Sequence, residues 1–288
     1  MELRVWKRKP PNTWLLDLDQ YAIRPTPSKV IEAWDIKGSD WTGPYYADSG
    51  EDGIISYLFD WVNDVFKFAV DIGAAHGYGG SNIRHIADRC EWKTTEFDGS
   101  NKWSNIHPRV KNLRITPKNI CSELLKCETP YQIDLLSLDI DSMDWYVLKS
   151  MLEGGFEPSI TILEYNPIFN FDDEIVRTYS QRFVKDGSSS YGASLKAFER
   201  LMNKYNHTLV VNCADIDNQI YSNNAIFLHN RYIGPWKDTK IKTIEELHPV
   251  AWKEPWKENS IGDLDKLKKQ LIKIGVMKKL KEEDYEVN

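Results

Sequence analysis

Asp139, Asp141 and Asp144 crowd together in LSLDIDSMDWY, where an apolar run stops. A second oxygen-rich strand end follows in ILEYNP, with Glu164 and Asn166. Asp139, Glu164 and Asn166 form an oxygen-only set suited to a hard cation such as Mg²⁺. A cation there would hold a substrate hydroxyl and lower its pKa, generating a nucleophile. Without a metal, one of Asp139, Asp141 or Glu164 takes the hydroxyl proton as general base. Neighbouring carboxylates repel one another, which raises the pKa of one of them. Some of these acids have a plainer use, since Asp141 or Ser142 fits the N-cap of the helix that begins at Trp145. His76 is an alternative base, although a histidine in a loop as often lines a pocket or bonds backbone. Trp145 fits a substrate-stacking ring and a buried helix face equally well.

A second constellation lies in FKFAVDIGAAHGYGGSN, residues 66–82. An apolar strand ends in Asp71-Ile72-Gly73 and breaks into small residues, the pattern of a strand feeding a tight loop and then a helix. Gly73, Gly77, Gly79 and Gly80 permit positive φ and close approach of backbone to a ligand. The following helix aims N–H groups at the same place, where nucleotide-like cofactors bind. The dinucleotide fingerprint G-x-G-x-x-G is absent, because Ala74-Ala75 stands where a glycine would let a pyrophosphate approach. Asp71 could meet a cationic group of the ligand through water. Asp98 ends the next strand, where a carboxylate accepts from two ribose hydroxyls. These features suit S-adenosylmethionine better than NAD. The expected cofactor-side residues are Asp71, Gly73, Ala74, Gly77, Ser81, Asn82, Asp98, Gly99, Asn119 and Asp139. The plain alternative is a structural turn with a surface aspartate.

These residues need a frame to bring them together. Apolar residues at helical spacing predict a helix over 51–63. Strands are expected at 66–72, 92–97, 113–116, 133–140 and 159–165. Helices are expected at 81–88, 118–126, 145–153 and 195–205. IDLLSLDI is continuously apolar, as for a strand buried on both faces. Strands 208–213 and 224–229 close the order as an antiparallel pair. The fold class is therefore α/β: a Rossmann-like, doubly wound, mostly parallel seven-stranded sheet with an antiparallel last strand. Residues 1–50 read as an N-terminal arm or cap, and 51–232 as the ligand-binding domain. Residues 167–190 read as a long polar insertion. Residues 233–288 read as a Trp/Lys-rich tail with an amphipathic helix from about 261 to 280. Such a stripe usually packs on its own domain. The tail is expected to be accessory, and its apolar stripe is one route to a homo-oligomer.

Composition narrows the function classes. The 288 residues are 41% apolar, enough for a sizeable core. Net charge is −6, and no basic run crosses the domain, which disfavours a nucleic-acid partner. Cys90, Cys121, Cys127 and Cys213 form no metal-ligand spacing and read as free thiols in a reducing, cytoplasmic setting. The charged, proline-broken start is unlike a signal peptide. No apolar run approaches about 20 residues, so no membrane span is expected.

Taken together, GEDGIISYLF, VDIGAAHGYGGSN, TEFDGS, LLSLDIDSMDWYVLKSM, ILEYNP and YGASLKAFERL resemble the FkbM-like class I S-adenosylmethionine-dependent methyltransferases, over roughly residues 49–230. The resemblance implies a Rossmann-like sheet and methyl transfer, commonly to a hydroxyl of a sugar or secondary metabolite. Members of that family often carry Asp-x-Glu-Gly at the end of strand four. Here Asp139-Ile140-Asp141-Ser142 stands instead, with the glycine lost and the acid shortened. The placement of Asp139 and Glu164/Asn166 is also similar to the metal-binding strand ends of catechol O-methyltransferase-like enzymes. The leading expectation is an O-methyltransferase acting on a small hydroxylated molecule, such as a sugar or nucleotide sugar. A nucleic-acid methyltransferase is the alternative enzyme, but base methylation usually resembles Asp/Asn-Pro-Pro-Tyr after strand four. A non-catalytic binding module is the third reading, because fold alone does not fix function.

Overall fold

The computed structural model describes residues 65–77, 81–89, 92–100, 106–182, 188–213, 223–233 and 264–286, together with Glu51, Ile55, Leu58, Phe59 and Val62. The N-terminal arm, residues 234–263 of the Trp/Lys-rich tail, Gly79, Gly80 and Cys90 lie outside these residues. Five strands carry the first part of the chain: β1 (Phe68–Ile72), β2 (Lys93–Asp98), β3 (Val110–Asn112), β4 (Gln132–Leu138) and β5 (Glu157–Glu164). The helices between them are α1 (Arg84–Arg89), α2 (Ile120–Lys126) and α3 (Asp144–Glu153). Next come β6 (Ile175–Arg177), α4 (Leu195–Lys204), β7 (His207–Asn212) and β8 (Asn224–His229). The chain closes with α5 (Leu264–Lys273) and β9 (Met277–Lys279).

Seven strands form one sheet in the order β3-β2-β1-β4-β5-β8-β7. β8 runs antiparallel to both β5 and β7, and the other pairings are parallel. This is the Rossmann-like, doubly wound arrangement that the alternation of strands and helices predicts. Every residue of β1 is buried, as parallel strands covered on both faces require. Successive side chains alternate between the faces. Ala69, Leu135, Ile160, Ile162, Ile226 and Leu228 pack with Ile55, Leu58, Phe59, Ile83 and Ile86. Val70, Leu136, Leu138, Leu163 and Phe227 pack with Leu124, Trp145, Leu148, Phe198 and Leu201. The winding reverses between β1 and β4, and the carboxyl ends of these two strands are where a sheet of this kind takes its ligands.

Several elements depart from expectation. Strand three lies at 110–112, not 113–116. Its burial pattern shows why it is hard to read: only Val110 is buried, so an edge strand leaves little periodicity. The insertion is structured in part, with Ile168, Phe169 and Ile175 buried and β6 paired antiparallel to β9. The tail helix ends at Lys273, and Gly275 turns the chain at a φ of 78° into β9. The described tail packs on the domain itself: Leu271 and Met277 join the insertion cluster, and Leu280 and Tyr285 join the main core. No helix among the described residues is long and apolar enough to cross a membrane. Cys121, Cys127 and Cys213 are free thiols.

Candidate functional site

The loop after β1 is pinned to the strands on either side. Gly73 N and Ala74 N donate to the Phe97 carbonyl at 2.9 and 3.1 Å, and Asp139 N donates to the Ile72 carbonyl at 2.9 Å. Gly73 has a φ of 102°, and a Cβ there would lie 1.6 Å from the Asp139 carbonyl oxygen. Only glycine fits at this position. The loop backbone therefore lies directly on the backbone that carries the acidic cluster. Gly77 is similarly confined, since a Cβ would meet Val110 and His107 at 2.5 and 2.8 Å. His107 N donates to the His76 carbonyl at 2.8 Å, which fixes the outer turn of the loop.

Asp98 closes one side of the crevice. Its Oδ2 accepts from Ala75 N at 2.9 Å and its Oδ1 from Ser100 N at 2.7 Å. Burial raises its pKa above the ordinary value, and those two bonds oppose the rise. Gly99 is confined by the Arg114 backbone, which a Cβ at Gly99 would meet at 2.8 Å. Beneath the loop, Ser81 Oγ donates to Asp71 Oδ2 at 2.8 Å, and Asn82 Nδ2 donates to Ser137 Oγ at 3.2 Å. Asp71 is buried, and its pKa is raised to about 7, first by burial and then, among the raising influences, by Glu96. Glu96 sits opposite Asp71 on β2 and is ion-paired with the buried Arg84 of α1. Asp71, Ser81 and Asn82 thus brace the loop from below.

The acidic cluster closes the other side. One carboxylate oxygen from each of Asp139, Asp141 and Glu164 lies within 4.8 Å of the others. Asp139 is exposed; Asp141 and Glu164 are half-buried. Asp141 takes a φ of 54°, which turns its side chain back toward the strand ends. The turn is held by Asp144, whose two carboxylate oxygens accept from Ile140 N and Ser142 N, each at 2.8 Å. Burial, then the charge of Asp139, raises the Asp144 pKa to about 7. Neither Asp141 nor Ser142 caps the helix, which starts after Met143 without a side-chain cap.

Other expected residues have different work. Asn166 is fully buried, and its Nδ2 donates to the Ser189 and Tyr191 carbonyls at 2.8 and 2.9 Å, while its Oδ1 accepts from Ile168 N. Its amide holds a neighbouring loop, and Asp141 is the third acid that stands with Asp139 and Glu164. Asn119 folds onto its own turn: Oδ1 accepts from Thr116 N at 2.7 Å and Nδ2 donates to the Arg114 carbonyl at 3.0 Å. Trp145 is buried and donates to the Ala197 carbonyl, so it is core rather than a stacking surface. His207 and His229 meet edge to face at 4.8 Å beside Glu157, at the other end of β5 from Glu164.

No protein-family model matches the chain, and no curated protein matches it. Among solved structures it is similar to a S-adenosylmethionine-dependent methyltransferase from Clostridium acetobutylicum ATCC 824. Identity is 16% and the TM-score 0.34, over 62% of this chain and 90% of that one. A likeness of that size says nothing about the chemistry of this crevice, which has to be read from its side chains.

Some polar residues near the site leave no motif in the sequence. Glu51 is buried and accepts from Asn224 Nδ2 at 3.0 Å. Asn223 Nδ2 donates to Glu164 Oε1 at 2.9 Å. The only signal is the paired asparagine in YSNNAIF, and it becomes legible once β8 is known to lie beside β5.

Proposed function

We propose that this chain is a S-adenosylmethionine-dependent O-methyltransferase, FkbM-like, acting in the cytoplasm on a hydroxyl of a small molecule such as a sugar or nucleotide sugar. The observation that carries the reading is the meeting of two halves at one sheet edge. Gly73 lies against the Asp139 backbone, with Asp98 on one side and the Asp139, Asp141 and Glu164 carboxylates on the other.

The cofactor side fits such a ligand. Asp98 gives each of its oxygens to one backbone N–H, leaving further lone pairs for ribose hydroxyls. Gly73, Ala74 and Gly77 bring bare or nearly bare backbone to the crevice. When bound, S-adenosylmethionine supplies an electrophilic methyl group. The chain's part is to orient an acceptor oxygen in line with that methyl and remove its proton. One of Asp139, Asp141 or Glu164 takes the proton as general base, with His76 the next candidate. The three carboxylates also fit a hard cation such as Mg²⁺, which would lower the pKa of the hydroxyl they face.

Calorimetry with S-adenosylmethionine and S-adenosylhomocysteine tests the reading first. Both should bind, and Asp98→Ala should weaken binding by about 1–3 kcal/mol through lost hydrogen bonds. Transfer of a labelled methyl to a panel of hydroxylated sugars and nucleotide sugars tests the acceptor. Asp139→Asn should keep the fold and much of the cofactor affinity and lower turnover by about 10²–10⁴-fold if it is the base. Loss of activity to a chelator, restored by Mg²⁺ or Mn²⁺, would identify a cation-assisted route. A preference for NAD, or no cofactor binding, would overturn the reading; cofactor binding with methyl transfer only to nucleic acid would favour the alternative enzyme.

A further inference from the structure

Asn223 sits just before β8, against the carboxyl end of β5. Its backbone carbonyl accepts from Tyr165 N at 2.9 Å. Its side-chain Nδ2 donates to the Tyr165 carbonyl at 2.8 Å and to Glu164 Oε1 at 2.9 Å. An amide nitrogen carries two hydrogens, and these two acceptors match them. The side chain is therefore anchored on rigid strand backbone by one hydrogen while the other holds the glutamate. Tyr191 Oη lies 3.4 Å from the same nitrogen. Tyr191 is itself fixed: its carbonyl accepts from the buried Asn166 at 2.9 Å, and Gly192 N donates to the Ser142 carbonyl at 3.1 Å. Arg177 Nη1 further ties the loop through the Ser190 carbonyl at 2.7 Å.

A half-buried glutamate has several torsions and several staggered wells. Restricting it to one arrangement costs conformational entropy that some contact must offset. We propose that Asn223 is a positioning residue that fixes the Glu164 carboxylate toward the acceptor hydroxyl. This rests on the reading above that the Asp139, Asp141 and Glu164 cluster handles the acceptor. Asn223 acts through Glu164, and the frame of Tyr165, Asn166 and the 188–193 loop gives it a fixed base. A misplacement of about 1 Å at a reacting group can cost about 100-fold in rate.

The test uses the full chain with Asn223→Leu and Asn223→Ala. Leucine fills similar space without an N–H, so a role in packing alone would survive it. With glutamate labelled at the carboxyl carbon, the Glu164 signal is assigned by its loss in Glu164→Gln. That signal should shift and broaden in both Asn223 variants. The turnover number should fall about 10- to 100-fold, with S-adenosylhomocysteine affinity within twofold of the parent protein. An unmoved Glu164 signal in both variants, or turnover within twofold of the parent in Asn223→Leu, overturns the proposal. Failure of the parent protein to bind S-adenosylhomocysteine would instead sink the proposed function. The Glu164 signal would still decide whether Asn223 orders that carboxylate.

Discussion

Gly73 has no room for any side chain, because its Cβ position overlaps the Asp139 carbonyl oxygen. Its φ of 102° adds a backbone conformation that L-residues resist. Gly73→Ala should therefore destabilise the fold by about 2–5 kcal/mol, combining backbone strain with overpacking. Urea unfolding would measure this, and an unchanged midpoint would mean that the loop and β4 are not in contact. Two residues earlier in the same strand end, Asp71 faces a different constraint. Burial holds its proton to about pH 7, against 3.8 for the ordinary group. The folded state therefore binds an extra proton between those values. The stability contributed by this group is full below about pH 3.8 and is lost as pH rises through about 7. Asp71→Asn can still accept from Ser81 Oγ but does not titrate. Its melting temperature should fall less steeply than that of the parent protein between about pH 4 and 8. Parallel profiles for the two proteins would show that Asp71 ionises normally in the fold.

At the scale of elements, what can be read from the sequence is what local burial writes into it. β1 and β4 are legible because strands covered on both faces are mostly apolar, even with Asp71 and Asp134 buried within them. β3 lies away from its expected place because an edge strand with one buried residue carries almost no pattern. β6 is invisible in the sequence because its partner β9 lies about a hundred residues away, and a three-residue strand announces itself only through that pairing. The same division holds at the candidate site. Asp139 and Glu164 are legible as acids at the ends of apolar runs. How Asp141 and Asn166 stand relative to them depends on where the chain turns after each strand. Asp144, buried under the turn, and the positive φ at Asp141 decide the first turn. The distant 188–193 loop, which Asn166 holds, decides the second. Neither influence leaves a local signal. Asn119 is a further case, since a residue that opens a helix can satisfy its amide entirely within its own turn.

For the whole molecule, the question is whether the C-terminal segment is an appendage. Its composition and its distance from the acids suggest one, but its contacts argue otherwise. Tyr285 is 4% exposed, packs edge-on against Trp145 at 5.6 Å, and lies beneath the Arg200 guanidinium at 4.5 Å. Its hydroxyl donates to Glu174 Oε2 at 3.1 Å, and Lys204 donates to its carbonyl. Arg200 bridges Glu174 of the insertion and Glu282 of the tail. One ring thus joins the insertion, α3, α4 and the chain end. Trp145 directly follows Asp144, so the tail rests on the helix that springs from the acidic turn. Large-to-small changes at buried aromatics typically cost about 3–5 kcal/mol. Tyr285→Ala should lose about that much, read as a lower urea midpoint. Removal of the chain from Ile261 onward should lose more, because Met277, Leu280 and the β6–β9 pairing go with it. S-adenosylhomocysteine affinity of folded Tyr285→Ala should stay within a few-fold, because Tyr285 braces the helix from the core side. A Tyr285→Ala protein as stable as the parent would make the segment the accessory tail that its composition suggests.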